Sequence, residues 1–386
     1  MWKRPILIIF LLGITALFSQ SAQAHLPLEE GRMSDLPLCM PERVARPIGE
    51  CLHLGPAHYL SEQARLGITF PPRPLPASQP DPQLAVLPYY YSRVVKETVP
   101  VFGSPESAVQ GEPVLYRIET GFGFVTSIDW AEVDGERFLM IAPGVWMRGR
   151  DLARLWATSS FQGLVFRGTP KNAFGWARNE VEVRRTPGYL AKDTIKTLYP
   201  YDLVQVYQVK TVDSADWYLI GPDQWVEGRQ VGRVIPNPEP PEGVTNGRWI
   251  EVNLAEQTLA VYEQGRLVFA TLVATGVEGA WTRPGLFQIY KKVEAETMQG
   301  ASTADRSDYY YLEDVPWTMY FDQARALHGT YWHNRFGWPA SRGCVNLSPG
   351  DANWLFQWAQ DGDWVYVWDP TGKTPTDPSL YGEGGA

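Results

Sequence analysis

Three residues in the last part of the chain have the types and spacing that thiol catalysis needs. Cys344 follows His328 by 16 residues and His333 by 11, and the chain has only five histidines. An imidazole beside a thiol can take its proton and form a thiolate–imidazolium pair at neutral pH. Gly343 lets a carbonyl group approach the backbone closely, and the amides of Gly343 and Cys344 are candidate donors to an oxyanion. These residues predict a cysteine nucleophile with a histidine base.

The same residues allow three other interpretations. A cysteine with two nearby histidines could bind a metal ion, but no second cysteine pair lies at the spacing of a zinc site. Cys344 could also be a buried structural residue. A papain-like protease is disfavoured because its cysteine usually precedes its histidine, whereas His328 precedes Cys344 here. We therefore predict thiol catalysis without a metal ion.

The cysteine count favours a free thiol at the candidate site. The chain has three cysteines, Cys39, Cys51 and Cys344. Thiols outside the cytosol tend to pair when a partner is available, and Cys39 and Cys51 lie 12 residues apart in a Pro-rich stretch. Their pairing would leave Cys344 as a single reactive thiol. The alternative is a disulfide between Cys344 and one of the other two.

The segment around these residues resembles the signature of the L,D-transpeptidase (YkuD-type) family. It begins with His328-Gly329, and Ser341-Arg342-Gly343-Cys344 is similar to the family's Ser/Thr-His/Arg-Gly-Cys core. Three further segments resemble the short helix after the cysteine, the closing strand and a Thr-Pro-x-Gly-x-Phe turn, at residues 348–355, 362–367 and 282–287. In the turn, proline stands one place later than usual. The resemblance covers residues 248–369, about a third of the chain.

The resemblance implies a role for each matching residue. Cys344 would be the nucleophile, His328 the general base, and the carbonyl of Gly329 the group that orients the imidazole. Many members have a second histidine where this chain has Arg342, whose guanidinium could hold a substrate carboxylate. The other predicted substrate-binding residues are Ser341, His333, Tyr331, Trp332 and Asn346, and Trp317 could also line the groove. The aromatic residues among them could equally pack a β core, and His333 could simply pack against Trp332.

The resemblance also implies a reaction on peptidoglycan stem peptides. Cys344 would attack the carbonyl of the third residue of a donor tetrapeptide, expel the terminal D-alanine and pass the acyl group to an acceptor amine. With water as the acceptor, the enzyme would be an L,D-carboxypeptidase. No cofactor is implied, and carbapenems are expected to acylate the thiol. A non-catalytic wall-binding protein is the alternative from another class.

The start of the chain predicts an exported protein. Lys3 and Arg4 precede an apolar run from Ile6 to Phe18, and Ala22-Gln23-Ala24 is a small-residue cleavage site. Residues 1–24 are therefore predicted to be a signal peptide, with an uncleaved membrane anchor as the alternative. We expect an extracytoplasmic protein at the cell wall. The net charge of −9 and the lack of a basic cluster argue against a nucleic-acid partner.

The middle of the chain contains an internal repeat. The aromatic fraction of 13%, with 35 Gly and 32 Pro, favours short strands joined by turns. Residues 137–150 and 216–229 share a strand, a proline, a tryptophan and a Gly-Arg pair at an offset of 79 residues. We predict two SH3-like β-barrels, at residues 93–160 and 176–235. Chance similarity between two all-β segments is the alternative.

These elements predict the organisation of the whole chain. We expect a mainly β protein that ends in a YkuD-type β-sandwich with a short helix after the cysteine. Residues 249–254 alternate apolar and polar side chains, as a half-buried strand at the start of that domain should. The other predicted parts are a Pro-rich arm at 25–92 with one short helix near Leu60, a Pro-rich linker at 236–246, the catalytic domain at 247–369 and a flexible tail at 370–386.

Overall fold

The structure is a computed structural model that describes most of the chain after residue 55. The described residues are 56–69, 71–119, 121–155, 159–191, 193–301, 306 and 308–382. The predicted signal peptide, Cys39 and Cys51 lie outside them. The chain divides into two compact units, residues 1–62 and 63–386, and the sheets, core and site described below belong to the second. Within the described ranges, no helix has the length and apolar character needed to span a membrane.

Short strands dominate the described residues, and this confirms the predicted mainly β class. The helices are α1 (Pro56–Arg65), α2 (Pro105–Gln110) and α3 (Pro349–Trp358), and 3₁₀ turns lie at Pro82–Ala85, Gly149–Asp151, Gly228–Gln230 and Pro378–Leu380. The predicted short helix after the cysteine is α3. Its N-cap is Ser348, whose Oγ accepts a hydrogen bond from the Asp351 amide at 3.4 Å, and Pro349 follows at the first helical position.

The strands fall into three consecutive groups along the chain. The first group is β1 (Ala77–Ser78), β2 (Tyr90–Val94), β3 (Thr98–Phe102), β4 (Val114–Glu119), β5 (Phe122–Ser127), β6 (Asp129–Val133), β7 (Glu136–Ala142), β8 (Val145–Arg148), β9 (Leu152–Arg154) and β10 (Leu164–Phe166). The second is β11 (Ala173–Ala177), β12 (Val181–Arg184), β13 (Thr194–Leu198), β14 (Leu203–Val206), β15 (Gln208–Val212), β16 (Ala215–Gly221), β17 (Gln224–Glu227) and β18 (Val231–Val234). The third is β19 (Arg248–Asn253), β20 (Thr258–Glu263), β21 (Arg266–Leu272), β22 (Gly285–Gln288), β23 (Lys291–Gly300), β24 (Tyr310–Asp322), β25 (Arg325–Gly329), β26 (Val345–Leu347) and β27 (Trp364–Trp368).

Residues 90–154 and 173–234 have the same strand arrangement, and we call them the first copy and the second copy. Each contains a five-stranded sheet, in the order β4-β3-β8-β7-β6 in the first and β13-β12-β17-β16-β15 in the second. Each also contains three neighbouring strands, β5-β2-β9 and β14-β11-β18. The same topology in both copies is what a repeated sequence unit should give. The SH3-like assignment of the copies stays a prediction.

The last part of the chain is a sandwich of two sheets. One sheet has the order β1-β10-β21-β20-β19-β27-β22, and the other contains β23 to β26. Their facing sides share one buried core, to which Val261 and Phe269 contribute from the first sheet, Met319 and Leu327 from the second, and Leu355 from α3. Each large apolar side chain buried in this way stabilises the fold by roughly 1.5–3 kcal/mol. The core therefore fixes β25 and β26, the two strands that carry the candidate site.

The first copy shares a sheet with this sandwich. Strand β5 pairs in parallel with β24, so that Phe122 lies opposite Tyr310 and Phe124 opposite Leu312. The complete order is β26-β25-β24-β5-β2-β9. The backbone amide of Thr126 also donates to the Glu313 carboxylate at 2.8 Å. Strand β5 thereby lies beside the start of β24, close to the candidate site.

Candidate active site

Two parallel strands bring the predicted nucleophile and base together. In the pairing of β25 with β26, Leu327 lies opposite Val345 and His328 opposite Asn346. Cys344 directly precedes β26, so the same register places it beside Ala326, two residues before His328 on β25. The side chains of Cys344 and His328 both line one pocket of about 270 Å³. The apolar side chains of β25 and β26 are buried in the core and hold both strands in place. The polar side chains of His328 and Asn346 line the pocket.

The Cys344 thiol is buried and uncharged in the resting site. Its side chain is 1% exposed, and its sulfur accepts a hydrogen bond from the Ala326 amide at 3.4 Å. Burial raises the pKa of the thiol to about 11, although the Ala326 amide and the Arg325 charge both lower it. The thiolate–imidazolium pair that the sequence predicted at neutral pH is therefore disfavoured in this site.

His328 is a buried neutral imidazole with one nitrogen already engaged. The residue is 2% exposed, and burial lowers its pKa to about 4. Its Nδ1 lies 3.2 Å from the carbonyl oxygen of Gly329. Since a carbonyl can only accept, we assign the proton of the neutral ring to Nδ1, which leaves Nε2 as the basic nitrogen. Gly329 thus has the orienting position that the family resemblance implied.

His333 and Asn346 form a second polar pair in the pocket. The Arg335 amide donates to His333 Nδ1 at 3.2 Å, so the proton of the neutral ring belongs on Nε2. Burial lowers the pKa of His333 to about 4, and the charges of His328 and Arg335 add to this effect. His333 Nε2 lies 3.0 Å from the Asn346 amide nitrogen, while Asn346 Oδ1 is buried without a hydrogen-bond partner among the described residues. Exchanging the nitrogen and oxygen positions of the Asn346 amide gives His333 Nε2–H an oxygen acceptor. The same exchange places an N–H donor where Oδ1 stood.

The turn before Cys344 is held by two hydroxyl groups. Ser341 Oγ donates to the Cys344 carbonyl at 2.6 Å and accepts from the Gly343 amide at 3.2 Å. Thr282 Oγ1 donates to the Gly343 carbonyl at 2.9 Å and accepts from the Gly276 amide at 3.0 Å. Gly343 has φ +116°, which favours glycine. Because the Gly343 amide is already bonded to Ser341, only the Cys344 amide remains from the predicted pair of oxyanion donors.

Arg342 is tied to a neighbouring segment and holds Tyr310 at the pocket. Its Nη2 donates to the Asp308 carbonyl at 2.8 Å, and its guanidinium stacks 4.8 Å from the Tyr310 ring centre. Arg342 Nη1 is buried without a partner in the described part of the chain. Nη2 also lies 3.3 Å from Asp308 Oδ2, so the guanidinium is already paired with a carboxylate of this chain, and its contact with a substrate carboxylate stays a prediction.

The sequence analysis missed Tyr310 and Phe122. Tyr310 is 5% exposed and lines the pocket, and its hydroxyl has no hydrogen-bond partner among the residues described. Burial and the nearby Cys344 raise the pKa of that hydroxyl, so it stays protonated at neutral pH and can donate a hydrogen bond. Phe122 lines the same pocket from the first copy. Neither residue belongs to a motif, and both reach the site through the pairing of β5, β24 and β25.

The predicted aromatic residues divide between pocket and core. Trp332 lines the pocket, and its ring centre lies 5.7 Å from that of His328. Tyr331 was predicted to bind substrate, but it packs in a core, where it stacks on Tyr91 at 3.7 Å and donates to the Glu313 carbonyl at 2.6 Å. Trp317 lies in the core of the sandwich. The structure thus places Tyr331 and Trp317 in cores, as the packing alternative describes, and neither lines the pocket.

No group of three or more metal-binding side chains comes together among the described residues. Cys344 itself is a free cysteine with no disulfide. The polar groups that line the pocket are the thiol, two neutral imidazoles, one carboxamide, the hydroxyls of Ser341 and Tyr310, and the guanidinium groups of Arg335 and Arg342. Chemically, this arrangement suits attack by sulfur on an acyl carbon while an imidazole takes the thiol proton.

The raised pKa of Cys344 predicts slow alkylation at neutral pH. We expect the rate constant for iodoacetamide to rise about tenfold per pH unit between pH 7 and pH 9, because only the thiolate reacts. No plateau should appear in that window, since the folded pKa is about 11. The measurement is the mass of the Cys344 peptide against time at each pH. Free cysteine, with a pKa of about 8.5, is the control, and a plateau in the alkylation rate of Cys344 near pH 7 would contradict this account.

Comparison with known proteins gives one family and several related structures. Residues 247–367 match the model of the YkuD family, described as the L,D-transpeptidase catalytic domain. Comparison with curated proteins gave no match. An L,D-transpeptidase from Stackebrandtia nassauensis is 32% identical over 34% of this chain, with a TM-score of 0.25. The match spans 58% of that relative, less than two thirds of its length.

Two related structures come from one further protein. The catalytic domain of the E. faecium L,D-transpeptidase is 26% identical, with 33% of this chain and 100% of that domain covered and a TM-score of 0.29. A structure of the E. faecium catalytic domain acylated by ertapenem is 27% identical, with 31% and 96% covered and a TM-score of 0.28. All three TM-scores are below 0.5, so the assignment of residues 247–367 to the YkuD family rests on the match to the family model.

Proposed function

From the premise that residues 247–367 form a YkuD-type L,D-transpeptidase catalytic domain, we propose that the protein cross-links peptidoglycan stem peptides. Cys344 is the acylated residue. One observation carries this proposal: the Cys344 thiol and the neutral His328 imidazole line the same pocket, and the Gly329 carbonyl leaves Nε2 as the base. A burial-raised thiol pKa makes such a base necessary at neutral pH.

In the first half-reaction, the thiol is acylated. Sγ attacks the carbonyl carbon of the third donor residue while His328 Nε2 takes the thiol proton. The tetrahedral oxyanion accepts hydrogen bonds from the Cys344 amide and the Tyr310 hydroxyl. Its collapse breaks the C–N bond, and the imidazolium returns the proton to the departing nitrogen. The products are free D-alanine and a thioester on Cys344.

In the second half-reaction, the acceptor stem takes the acyl group. Its side-chain amine attacks the thioester carbon and gives a proton to His328. The C–S bond then breaks, and the sulfur recovers the proton, so the free enzyme and one new amide bond result. Attack by water would release a tripeptide instead. Arg342 Nη1 and the Asn346 amide bind polar groups of the stem, while Met298 and Leu312 supply apolar walls.

Tyr310→Phe tests the oxyanion contact. Removing one donor to an oxyanion commonly costs about 10²–10³-fold in kcat, and we expect about 100-fold here with little change in KM. D-Alanine release from a tetrapeptide measures both constants. Tyr309→Phe is the matched control, because the Tyr309 hydroxyl donates to Gln299 Oε1 at 2.6 Å on the surface. Equal kcat in Tyr310→Phe and wild type would remove Tyr310 from the mechanism.

Phe122→Ala tests the contribution of the first copy to the substrate pocket. A lost apolar contact of about 1 kcal/mol corresponds to roughly a fivefold rise in KM. We expect kcat and the rate of iodoacetamide alkylation to stay near the wild-type values, because an apolar ring on β5 can neither take the thiol proton nor donate to the oxyanion. Leu115→Ala, at a 53% exposed position on β4 outside the pocket, is the control. The same KM in both variants would show that Phe122 contacts no substrate.

Export and carbapenem sensitivity belong to the same proposal. Residues 1–24 direct the chain out of the cytoplasm to the cell wall, where its substrate lies. N-terminal sequencing of the mature protein should therefore begin at His25. The Cys344 thiol attacks the carbonyl carbon of the strained β-lactam ring of a carbapenem, the ring C–N bond breaks, the nitrogen takes the proton, and a stable acyl adduct remains on the sulfur. Intact mass spectrometry should show one adduct per chain. An unprocessed N-terminus would contradict the export proposal.

The proposed reaction is tested by product analysis with donor and acceptor stems. Purified protein, a disaccharide tetrapeptide and a tripeptide acceptor are mixed, and products are separated and identified by mass. We expect a cross-linked dimer and one D-alanine per dimer. Tripeptide with free D-alanine and no dimer would instead identify an L,D-carboxypeptidase. Absence of both products with a soluble, folded protein would contradict the proposed function.

A further inference from the structure

Arg335 lines the catalytic pocket, and its guanidinium has no hydrogen-bond or ion-pair partner among the described residues. Cys344 and His328 line the same pocket. The backbone amide of Arg335 donates to His333 Nδ1 at 3.2 Å, which fixes the start of the side chain beside that ring. The residue itself is exposed. The N–H donors of its guanidinium are therefore available to a ligand in the pocket.

Arg335 gives this pocket an unbalanced positive charge. The thiol, the phenol and both imidazoles of the pocket are uncharged at neutral pH, because burial raises the pKa of the first two groups and lowers that of the imidazoles. No Asp or Glu is among the described residues that line the pocket. The charge of Arg342 is balanced by the Asp308 carboxylate, which lies 3.3 Å from its Nη2. The pocket as a whole therefore favours an anion.

The charge of Arg335 reaches the pocket without activating the nucleophile or the base. The pKa of His333 is lowered first by burial, then by His328 and then by Arg335. The shifted pKa values of Cys344 and His328 arise from burial and from nearer groups, and Arg335 contributes to neither of them. The role of Arg335 therefore lies in binding a charged ligand rather than in proton transfer.

The donor of the proposed reaction has an anionic group close to the bond that breaks. The leaving residue ends in a free α-carboxylate, which is ionised at neutral pH because its ordinary pKa is about 3.5. Consecutive Cα atoms of a peptide are about 3.8 Å apart, so this carboxylate lies within about 5 Å of the attacked carbonyl carbon. When that carbon is at Cys344 Sγ, the carboxylate must lie in the pocket or at its mouth, where Arg335 is exposed. A guanidinium binds a carboxylate through two parallel N–H···O bonds.

We propose that Arg335 binds the α-carboxylate of the residue that leaves the donor. This inference rests on the proposed function, and it names the group of the donor that the site selects. Arg335 is then a substrate-binding residue that places the scissile carbonyl at Cys344 by holding the chain on the leaving side. A donor whose terminal carboxylate is replaced by a neutral amide loses this contact.

Two donors that differ in one charge test this contact. One tetrapeptide donor ends in the free α-carboxylate and the other in the primary amide, and release of the terminal residue is measured by mass spectrometry. We expect kcat/KM of the wild type to be about tenfold lower for the amide donor, because hydrogen bonds between charged groups are stronger than neutral ones. Arg335→Gln should lower kcat/KM about tenfold for the carboxylate donor and less than about twofold for the amide donor, which has no carboxylate to lose.

Two further variants separate carboxylate binding from other effects of the substitution. Arg335→Lys keeps the charge without the paired N–H donors, so it should lose less kcat/KM on the carboxylate donor than Arg335→Gln does. Arg117→Gln removes the same charge from an exposed position on β4 outside the pocket, and it should match the wild type with both donors. The unfolding temperature of each variant checks that it is folded.

Alkylation of Cys344 gives a second measurement that needs no peptide. Iodoacetate carries a carboxylate next to its reacting carbon, whereas iodoacetamide carries a neutral amide there. The ratio of the iodoacetate rate constant to the iodoacetamide rate constant should fall about threefold in Arg335→Gln. The rate with iodoacetamide should stay near that of the wild type, because Arg335 does not shift the pKa of Cys344.

The outcomes distinguish this inference from the proposed function. Equal kcat/KM of the wild type for both donors, or an equal loss on both donors in folded Arg335→Gln, would overturn the assignment of Arg335 while the proposed function stands. Failure of the wild type to release the terminal residue of either donor would overturn the proposed function. In that case the alkylation ratio decides, since a fall in Arg335→Gln supports carboxylate binding by Arg335 and an unchanged ratio overturns it.

Discussion

Cys344→Ala is expected to abolish D-alanine release from a tetrapeptide donor, with a loss of about 10⁴-fold or more. Among the described residues that line the pocket, Cys344 is the one cysteine, and the neighbouring hydroxyl of Ser341 is bonded to the Cys344 carbonyl at 2.6 Å. Without the sulfur, the donor carbonyl meets no nucleophile that His328 can activate. Release of D-alanine is measured by a coupled oxidase assay, and carbapenem adducts by intact mass.

The fold should survive this substitution, which removes one buried sulfur atom. Unfolding temperatures within a few degrees of the wild type would show this. Ser341→Ala is a useful control, because it deletes a hydroxyl next to the same cysteine while the thiol remains. We expect partial activity and full carbapenem labelling in that variant. Wild-type D-alanine release by a folded Cys344→Ala protein would rule out the proposed chemistry.

His328→Gln is expected to lower kcat about 10³-fold at pH 7, within the range for loss of a general base. Glutamine cannot accept the thiol proton, and the thiol remains protonated because burial raises its pKa to about 11. Activity of the variant should rise as pH increases toward that value, since hydroxide then ionises the thiol. The wild type should keep its base above about pH 4, where the burial-lowered pKa of His328 lies.

His333→Gln is the matched control for this experiment. Its pKa is lowered to about 4 as well, but the Arg335 amide and Asn346 occupy its two ring nitrogens. We expect a loss of less than tenfold, mainly through KM. The pH dependence of kcat in both variants separates the two residues. A larger loss of kcat in His333→Gln than in His328→Gln would reverse the assignment of the base.

The nucleophile and base could be predicted because both belong to one continuous motif. The turn before Cys344 is local, so Ser341, Gly343 and Cys344 necessarily lie together. Their individual roles were less predictable. Ser341 forms hydrogen bonds with backbone groups of the turn, and the Gly343 amide donates to Ser341 within that turn. The uncharged resting state of the thiol follows from burial, which the sequence around Cys344 does not reveal.

Long-range strand pairing explains most of what the sequence could not predict. Alternating side chains identified β19, since Ile250 and Val252 are both buried in the sandwich core. Periodicity of that kind says which face is buried but not which strand lies alongside. The parallel pairing of Phe122 with Tyr310 joins distant parts of the chain, so the role of the first copy in the pocket appears only in three dimensions.

The segment after residue 369 also makes contacts that the sequence did not predict. Residues 370–386 were predicted to be a flexible tail, and their mobility stays a prediction. Within the described residues to 382, Asp369 accepts hydrogen bonds from Thr371 and Thr374, and the Arg325 guanidinium lies 5.2 Å from the Tyr381 ring centre. Arg325 lowers the pKa of Cys344. The contact between Arg325 and Tyr381 depends on one aromatic residue and one buried arginine, and no periodic pattern in the sequence predicts it.

Capture of the acyl-enzyme is the most direct test of the central claim, that Cys344 forms a thioester with the donor stem. The protein is mixed with a tetrapeptide donor, quenched with acid within seconds and digested, and the peptide that contains Cys344 is analysed by mass spectrometry. The account predicts a mass increase equal to the donor acyl group without D-alanine, on Cys344 alone, that hydroxylamine removes. Turnover of the donor with an unmodified Cys344, or with the acyl group on another residue, would contradict it.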